Sequence, residues 1–585
     1  MNNEYKTSPL SCVVFFVSLL YIIVMAAFGL KDDAPVIIHF GRTFFYLLVL
    51  LYIVDVVSKY SDRKSLHNYF DSIFAGVLIL AYTSYGFSLI PMSFMTFQFV
   101  ITFLIMGRSF MKVAEINEDS HDERQKRRKF VTNAMNNPAR TVLLGYLYLI
   151  LVGTLLLSLP ISVTTDEPIS FSNALFMAAS AGTITGLATV DLLTTFSVFG
   201  KTVLCILVQV GGLGIMIVSY FFGYIIFRRK MKYQNKANIS ADTNNDGDSP
   251  SSLSRTIVSI LIFTFSVELI GAILLFIHFI PHYGLSAKNI GYALFHAVTG
   301  FCNAGFCIYA SDLSPFVSDI PLNLIFSFLI IIGGLGFPVC SDIVRYIIRW
   351  WRKNILHQYV PYKGLSVNTK LVLVISSILL VGGTLLFYGL EHQNVIRDFD
   401  IGTQYLASFF QAVTVRTAGL NTVDFSFLRT PTLVAMIWLM FIGGASGSMA
   451  GGVKVNTLGI LSVSLFSFLR GRSENVIMHK SITHTLAYKS FFIFFMSELL
   501  IIVSVIILSC THSANFTTVL FEAVSAFSTT GASMGMTSNL NVIGKYLIIV
   551  LMVLGKIGPM TVLMLLSREE TPSNIRYPDV DILIG

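Results

Sequence analysis

The chain has 585 residues, is 54% hydrophobic and is charged at only 12% of its positions, with a mean hydropathy of +0.73. Soluble domains carry about 25% charged residues, so a soluble enzyme is excluded and a polytopic membrane protein is expected. The formal net charge of +8 gathers in a few loops between apolar runs, as in cytoplasmic loops, and does not argue for a nucleic-acid partner.

In chain order, a polar start precedes apolar runs at Ser11 to Leu30, Phe40 to Val57, Phe70 to Leu89 and Met92 to Met106. Residues 1–136 therefore read as an N-terminal extension of about four spans, closed by a basic linker that contains Arg124, Lys126, Arg127, Arg128 and Lys129. The positive-inside rule places this linker, and with it both chain termini, on the cytoplasmic side of the cell membrane. Strand-period alternation is absent, so the spans are helices and the fold class is all-α.

Four units of one design follow. They cover residues 137–254 (with a linker), 255–367, 368–487 and 488–585 (with a tail). Each unit reads as a span, a short dipping helix, a filter-like strand and a second span. The first spans are Thr141–Leu159, Thr256–Ile280, Leu371–Leu390 and Phe491–Leu508. The second spans are Lys201–Phe227, Pro321–Ile348, Pro431–Leu465 and Lys545–Leu566. Asn235 to Ser252 is polar and rich in turn formers, so a flexible cytoplasmic linker is expected there.

The dips centre on Phe176 to Leu187, Phe295 to Phe306, Phe409 to Leu420 and Phe521 to Ala532. They are too short to cross a bilayer, so each must enter and return. Each closes on one glycine: Gly186, Gly305, Gly419 and Gly531. Irregular backbone at membrane depth is tolerated where it is buried in protein or lines a water-filled path. A cation on such a path exchanges its water shell for backbone carbonyls, and glycine permits the backbone angles that turn them inward. The candidate filter residues are Thr183, Ile184, Thr185 and Gly186; Cys302, Asn303, Ala304 and Gly305; Thr417, Ala418 and Gly419; and Thr529, Thr530 and Gly531. Four such segments in register describe one pore built within a single chain.

These motifs resemble the Trk/Ktr/HKT superfamily of potassium transporters, most closely a bacterial Ktr/Trk membrane subunit. The resemblance spans Asn137 to Ser567. It rests on Asn137-Pro138-Ala139-Arg140, TITGL, Gln209-Val210-Gly211-Gly212-Leu213-Gly214, FCNAGF, Gly333-Gly334-Leu335-Gly336-Phe337 and VRTAGLNTVD (Val415–Asp424). It implies four membrane–pore–membrane repeats around one pore, with potassium bound at the four glycines. In this family serine at the first of the four accompanies sodium transport, and this chain has glycine at all four. The resemblance also implies a homodimeric membrane part, a cytoplasmic RCK-type nucleotide-binding regulatory ring, potassium as the transported ion and sodium as a candidate coupling ion. No organic cofactor is expected in this chain.

The second span of the third repeat is interrupted by Gly443, Gly444, Ala445, Ser446, Gly447, Ser448, Met449, Ala450, Gly451 and Gly452, before Val453 and Lys454. Such a run is a poor helix former, at about 1 kcal/mol per glycine. It could pack helices closely or unwind into a loop, and the resemblance implies a loop that obstructs the pore as a gate. Lys556, where the family usually has arginine, is either a cation barrier acting with that loop or a side chain reaching the membrane edge. Arg416 would repel cations if it faced the pore, so it is expected behind the filter, turned to a carboxylate such as Glu522. Glu268 and Glu498 are expected to have structural partners. The six cysteines show no zinc spacing, and HExxH and Walker motifs are absent, so no enzyme activity is expected. The alternatives to potassium uptake are sodium or mixed-cation transport by the same fold, and the pore subunit of an ATP-driven potassium pump such as the Kdp complex.

Overall fold

A computed structural model describes residues 138–164, 169–214, 250–309, 312–355, 364–472 and 474–558, with a few isolated positions besides. The expected N-terminal spans, most of the linker after the first repeat, the far half of that repeat's second span and the tail lie outside the described residues. Residues 1–134 with 158–169 form one compact unit, and 135–157 with 170–585 form a second. Among the described residues, the first holds a 3-10 turn at Pro160–Ser162. The second holds the helices of all four repeats.

The repeats are helical throughout. Repeat 1 comprises α1 (Pro138–Leu157), α2 (Phe171–Gly182), a short α3 (Leu192–Thr195) and α4 (Val198–Leu213). Repeat 2 comprises α5 (Pro250–Tyr283), α6 (Ala287–Cys302) and α7 (Ile320–Asn354). Repeat 3 comprises α8 (Val367–Glu391), α9 (Ile401–Thr414), α10 (Thr430–Phe441) and α11 (Val455–Leu469). Repeat 4 comprises α12 (His484–Thr511), α13 (Phe516–Ser528) and α14 (Val542–Ile557). The last three residues of the expected linker already belong to α5. A two-stranded hairpin, β1 (Asn475–Ile477) and β2 (Lys480–Ile482), joins repeats 3 and 4. Its two turn residues, Met478 and His479, both have positive φ, as a tight hairpin turn requires.

The packing is that of a membrane protein. The outer helices α5, α8 and α12, with 34, 25 and 28 residues, exceed the roughly 20 residues that span a bilayer. They expose Ile262, Leu269, Ile378, Leu385, Phe495 and Ile502. Polar side chains are buried instead, along the dipping helices: Ser180, His296, Thr299, Gln411, Thr414, Glu522 and Ser525. In repeats 1 to 3 a glycine of the first span (Gly153, Gly271, Gly383) meets a leucine of the second (Leu207, Leu329, Leu439), so the two helices of each repeat approach closely.

The dipping helices α2, α6, α9 and α13 have only 12, 16, 14 and 13 residues. Three start on a side-chain cap, with Ser170, Ser286 and Asp400 accepting from the backbone N–H groups of Asn173, Asn289 and Thr403. Each ends just before its conserved-in-repeat glycine, so the partial negative charge of the helix C-termini is directed at the segment that follows.

Candidate functional site

The four glycines form a closed ring. A Cβ built on Gly186 meets the Ala304 carbonyl oxygen, and one on Gly305 meets that of Ala418. One on Gly419 meets that of Thr530, and one on Gly531 meets that of Thr185. All four lie inside 3.0 Å, closer than a Cβ tolerates. The order runs 1 to 2 to 3 to 4 and back to 1, and each glycine faces the carbonyl that precedes the next repeat's glycine. All four have positive φ: 87°, 65°, 71° and 88°.

Local backbone chemistry explains why carbonyls line this ring. The N–H groups of the segments bond back into their own dipping helices: Thr185 to Ser180 (2.7 Å), Ala304 to Thr299 (2.8 Å), Ala418 to Thr414 (2.7 Å) and Thr530 to Ser525 (2.9 Å). Ile184, Asn303 and Thr529 also have positive φ, two residues before their glycines. Left-handed residues thus alternate with right-handed or extended ones in repeats 1, 2 and 4. No described donor reaches the carbonyls of Thr185, Ala304, Ala418 or Thr530, which leaves them to coordinate a cation. These segments are irregular connections held by turns, not strands paired in a sheet.

The side chains of the candidate residues mostly brace the ring from behind. Thr183 donates to the Ala179 carbonyl (2.7 Å) and meets the Thr185 hydroxyl at 2.8 Å. Ser528 and Thr530 repeat that pairing at 2.7 Å. The Asn303 amide fits with its nitrogen towards the Gly300 and Ile330 carbonyls and its oxygen accepting from Thr417 (3.1 Å). Cys302 is the last residue of α6, and its thiol turns away to Gln209 (3.9 Å) and Glu268 (3.8 Å). Glu268 therefore has the expected structural partners. Glu498 makes no hydrogen bond or ion pair among the described residues, contrary to expectation, and sits half-buried on α12.

The expected pairing of Arg416 with Glu522 does not form. Glu522 accepts from the hydroxyls of Ser533 and Thr537, which satisfy it within its own repeat. Arg416 does point behind the ring, towards Ser376. Glu522 belongs to a pattern that the sequence did not disclose. In the second half of two other dipping helices a polar side chain likewise holds the outgoing chain: His296 accepts from the N–H of Ile308 (3.3 Å) and Gln411 donates to the Val423 carbonyl (3.0 Å). His296 donates from Nδ1 to the Tyr292 carbonyl and stacks on Tyr309 at 4.3 Å, which fixes its tautomer. A polar residue eight or nine places before the ring glycines of repeats 2, 3 and 4 was the available signal.

Beyond the ring, Asp191, Asp312 and Asp424 follow the glycines of repeats 1, 2 and 3. Asp191 and Asp424 cap local turns. Burial, then the nearby Asp424 and Asp191 carboxylates, push Asp312 up to about 6. A carboxyl raised in this way is charged above pH 6 and neutral below it. Acidifying this side from pH 7 to 5 is therefore expected to reduce cation entry, and Asp312→Asn to flatten that dependence. Uptake measured across this pH range checks it, and a profile unchanged by Asp312→Asn would rule Asp312 out as the titrating group.

On the opposite side of the ring the interrupted span is a loop, as the second of the two sequence readings has it. It runs from Ile442 to Lys454 between α10 and α11, and touches every repeat. Within repeat 3, Gly443 donates to the Val453 carbonyl (2.8 Å) and Val455 to that of Gly444 (3.0 Å). Ser446 donates its N–H to Asn456 (2.8 Å). Towards repeat 2, Ala445 donates to the Gly334 carbonyl (2.9 Å) and Met449 to that of Gly333 (3.4 Å). The Gly447 carbonyl and Ser448 nitrogen lie against Gly336. Gly451 and Gly452 lie against Ser528 and Thr529 of repeat 4, and the Met449 sulfur lies near Gly212 of repeat 1. A loop that contacts all four repeats crosses the axis directly below the ring. Lys454 donates to the Ala450 carbonyl, and Lys556 to that of Met449. Lys556 thus reaches the loop rather than the membrane edge.

The second spans all break at this level. Gly211, Gly333 and Gly555 pack against the Gly182, Phe301 and Phe527 carbonyls at the ends of their dipping helices. Three residues on, Gly214, Gly336 and Gly558 have positive φ. The signal was the Gly-Gly-x-Gly spacing at 211–214 and 333–336, which recurs as Gly-Lys-x-Gly at 555–558. Lys556 occupies the place of Gly212 and Gly334.

A protein-family model described as TrkH, cation transport protein, matches residues 124–577. The Ktr system potassium uptake protein B of Bacillus subtilis is 37% identical over 77% of this chain and 97% of its own length. The potassium/sodium uptake protein NtpJ of Enterococcus hirae is 34% identical over 77% of this chain and 97% of its own. In fold, the crystal structure of the potassium transporter TrkH from Vibrio parahaemolyticus superposes with a TM-score of 0.58 at 16% identity, covering 96% of this chain and 99% of that one. With its four-glycine ring and the loop beneath it, this chain belongs to the TrkH family of cation transport proteins.

Proposed function

We propose that this chain is the membrane pore of a potassium uptake system. The observation that carries this is the closed ring, in which each glycine of one repeat faces a free carbonyl of the next. Potassium sheds its water shell readily enough for a ring of carbonyls to replace it, and the carboxylates of Asp191, Asp312 and Asp424 attract cations to the outer mouth. The residues taken to bind potassium are Thr183 to Gly186, Asn303 to Gly305, Thr417 to Gly419 and Thr529 to Gly531, with the backbone of Cys302 at the margin. Relatives with up to 37% identity carry the name of potassium uptake proteins, which supports the same cargo here.

Residues 443–454 and Lys556 act as the gate: two ammonium groups and a crossing loop block the path below the ring. A loop that is held by hydrogen bonds to repeats 2 and 3 and to Lys556, rather than by a helix of its own, is the natural point of control. A cytoplasmic nucleotide-binding ring of the RCK type is the proposed controller, the membrane part is a homodimer in the cell membrane, and both termini are cytoplasmic. The NtpJ relative, named for potassium and sodium, supports a second reading in which sodium is carried or coupled.

The test is growth and rubidium uptake at low potassium in cells stripped of their own uptake systems, with and without a co-expressed regulator. Rescue is expected. Sodium uptake with no rubidium uptake under either condition would replace the first reading with the second.

A further inference from the structure

Arg416 lies between α9 and the ring residues Thr417 to Gly419, with its guanidinium turned away from the ring. It borders a cavity of about 120 Å³, walled by Ile330, Leu335, Ser376, Leu380, Thr417 and Gly444. Among the described residues, Nη2 donates to the Ser376 hydroxyl at a long 3.4 Å. Nε is buried and has no partner. Among the described residues no carboxylate faces the group: burial is the one influence on it, and Glu522, its expected partner, is satisfied by Ser533 and Thr537.

A guanidinium keeps its proton under all ordinary conditions, so this charge cannot be relieved by titration. An uncompensated cation held out of water is strongly unfavourable. It also stands next in sequence to the potassium ligands, where it repels the cargo. Water in the cavity would satisfy the N–H groups but would leave the charge and its repulsion in place. A volume of about 120 Å³ has room for a halide ion with a few waters, and is too small for a phospholipid headgroup with its glycerol. Apolar walls suit a weakly hydrated anion. The Ser376 hydroxyl accepts from Arg416 and donates to no described acceptor, so its proton is available as a further donor.

We propose that this cavity is a binding site for a small monovalent anion of halide size, held by the Arg416 guanidinium and the Ser376 hydroxyl. The anion neutralises Arg416 and so lets potassium occupy the adjoining ring. Gly444 of the crossing loop forms part of the same wall, so the anion also touches the gate. The binding rests on the cavity alone; its effect on flux rests in addition on the potassium reading of the ring.

Two measurements separate these. In crystals of the full chain grown in bromide, an anomalous peak is expected beside Arg416, and none in Arg416→Gln. Should that variant fail to fold, Ser376→Ala, which keeps the charge, is expected to need more bromide for the same rise in melting temperature over potassium gluconate. A parent protein with no peak, and with equal melting in bromide, chloride and gluconate, would overturn the site. In vesicles, rubidium uptake is expected to fall about tenfold when gluconate replaces chloride at equal ionic strength, a repulsion of ~1.4 kcal/mol restored at the ring. A bromide peak with equal uptake in both salts would overturn the electrostatic role while leaving the site. A peak with no rubidium uptake in either salt would instead count against the potassium reading.

Discussion

Gly305→Ser is expected to raise the potassium concentration for half-maximal uptake by about a hundredfold, equivalent to ~2.7 kcal/mol. The new Cβ would lie 2.5 Å from the Ala418 carbonyl oxygen, and that oxygen is one of the proposed potassium ligands. Relief requires the ring to widen or the carbonyl to rotate away. The position also has a φ of +65°, which costs a side-chain-bearing residue about 1–2 kcal/mol. Both effects fall on one segment, and the ring transmits the shift to repeat 3. The variant should therefore lose discrimination between potassium and sodium together with affinity. Rubidium uptake with sodium as competitor measures both. Parent-like affinity and selectivity in a variant present at normal amounts would remove Gly305 from the ion path.

Lys556→Ala is expected to do the reverse and raise uptake about tenfold without its regulator, leaving half-saturation unchanged. The lysine ties the loop through the Met449 carbonyl, while Lys454 holds the adjacent Ala450 carbonyl. Removing one tie and one positive charge lowers the barrier below the ring without touching the ring. Lys556→Arg keeps the charge and should stay near the parent. Uptake that is unchanged or lower in Lys556→Ala, with normal membrane content, would show that the lysine does not hold the gate shut.

Much of the architecture is legible in the sequence because the membrane simplifies the physics. Apolar length separates spans from dips, and glycine marks the turns that a Cβ would block. Gly186, Gly305, Gly419 and Gly531 were therefore identifiable without coordinates, as was the weak helix between Ile442 and Lys454. The partners of buried polar groups were not. Arg416 and Glu522 look like a pair because both are charged and deep, but two hydroxyls serve Glu522 as well as a cation would. Cys302 reads as a filter residue in the sequence, yet it ends α6, which turns its thiol to Gln209 and Glu268. His296 and Gln411 are ordinary helical residues until the returning chain is placed beside them. Pairing is a property of three-dimensional approach, and spacing along one chain does not encode it.

The lysine among the Gly-Gly-x-Gly breaks has a consequence for how such a pore can evolve. A tetramer of identical subunits must place the same residue at all four corners, and four ammonium groups at this depth would repel every cation permanently. With the four units fused into one polypeptide, each corner mutates independently. Gly212 and Gly334 stay small and neutral, one corner carries the charge, and another lengthens into the crossing segment. Units joined in one polypeptide can thereby break symmetry: fourfold order is kept at the glycine ring and lost at the breaks of the second spans.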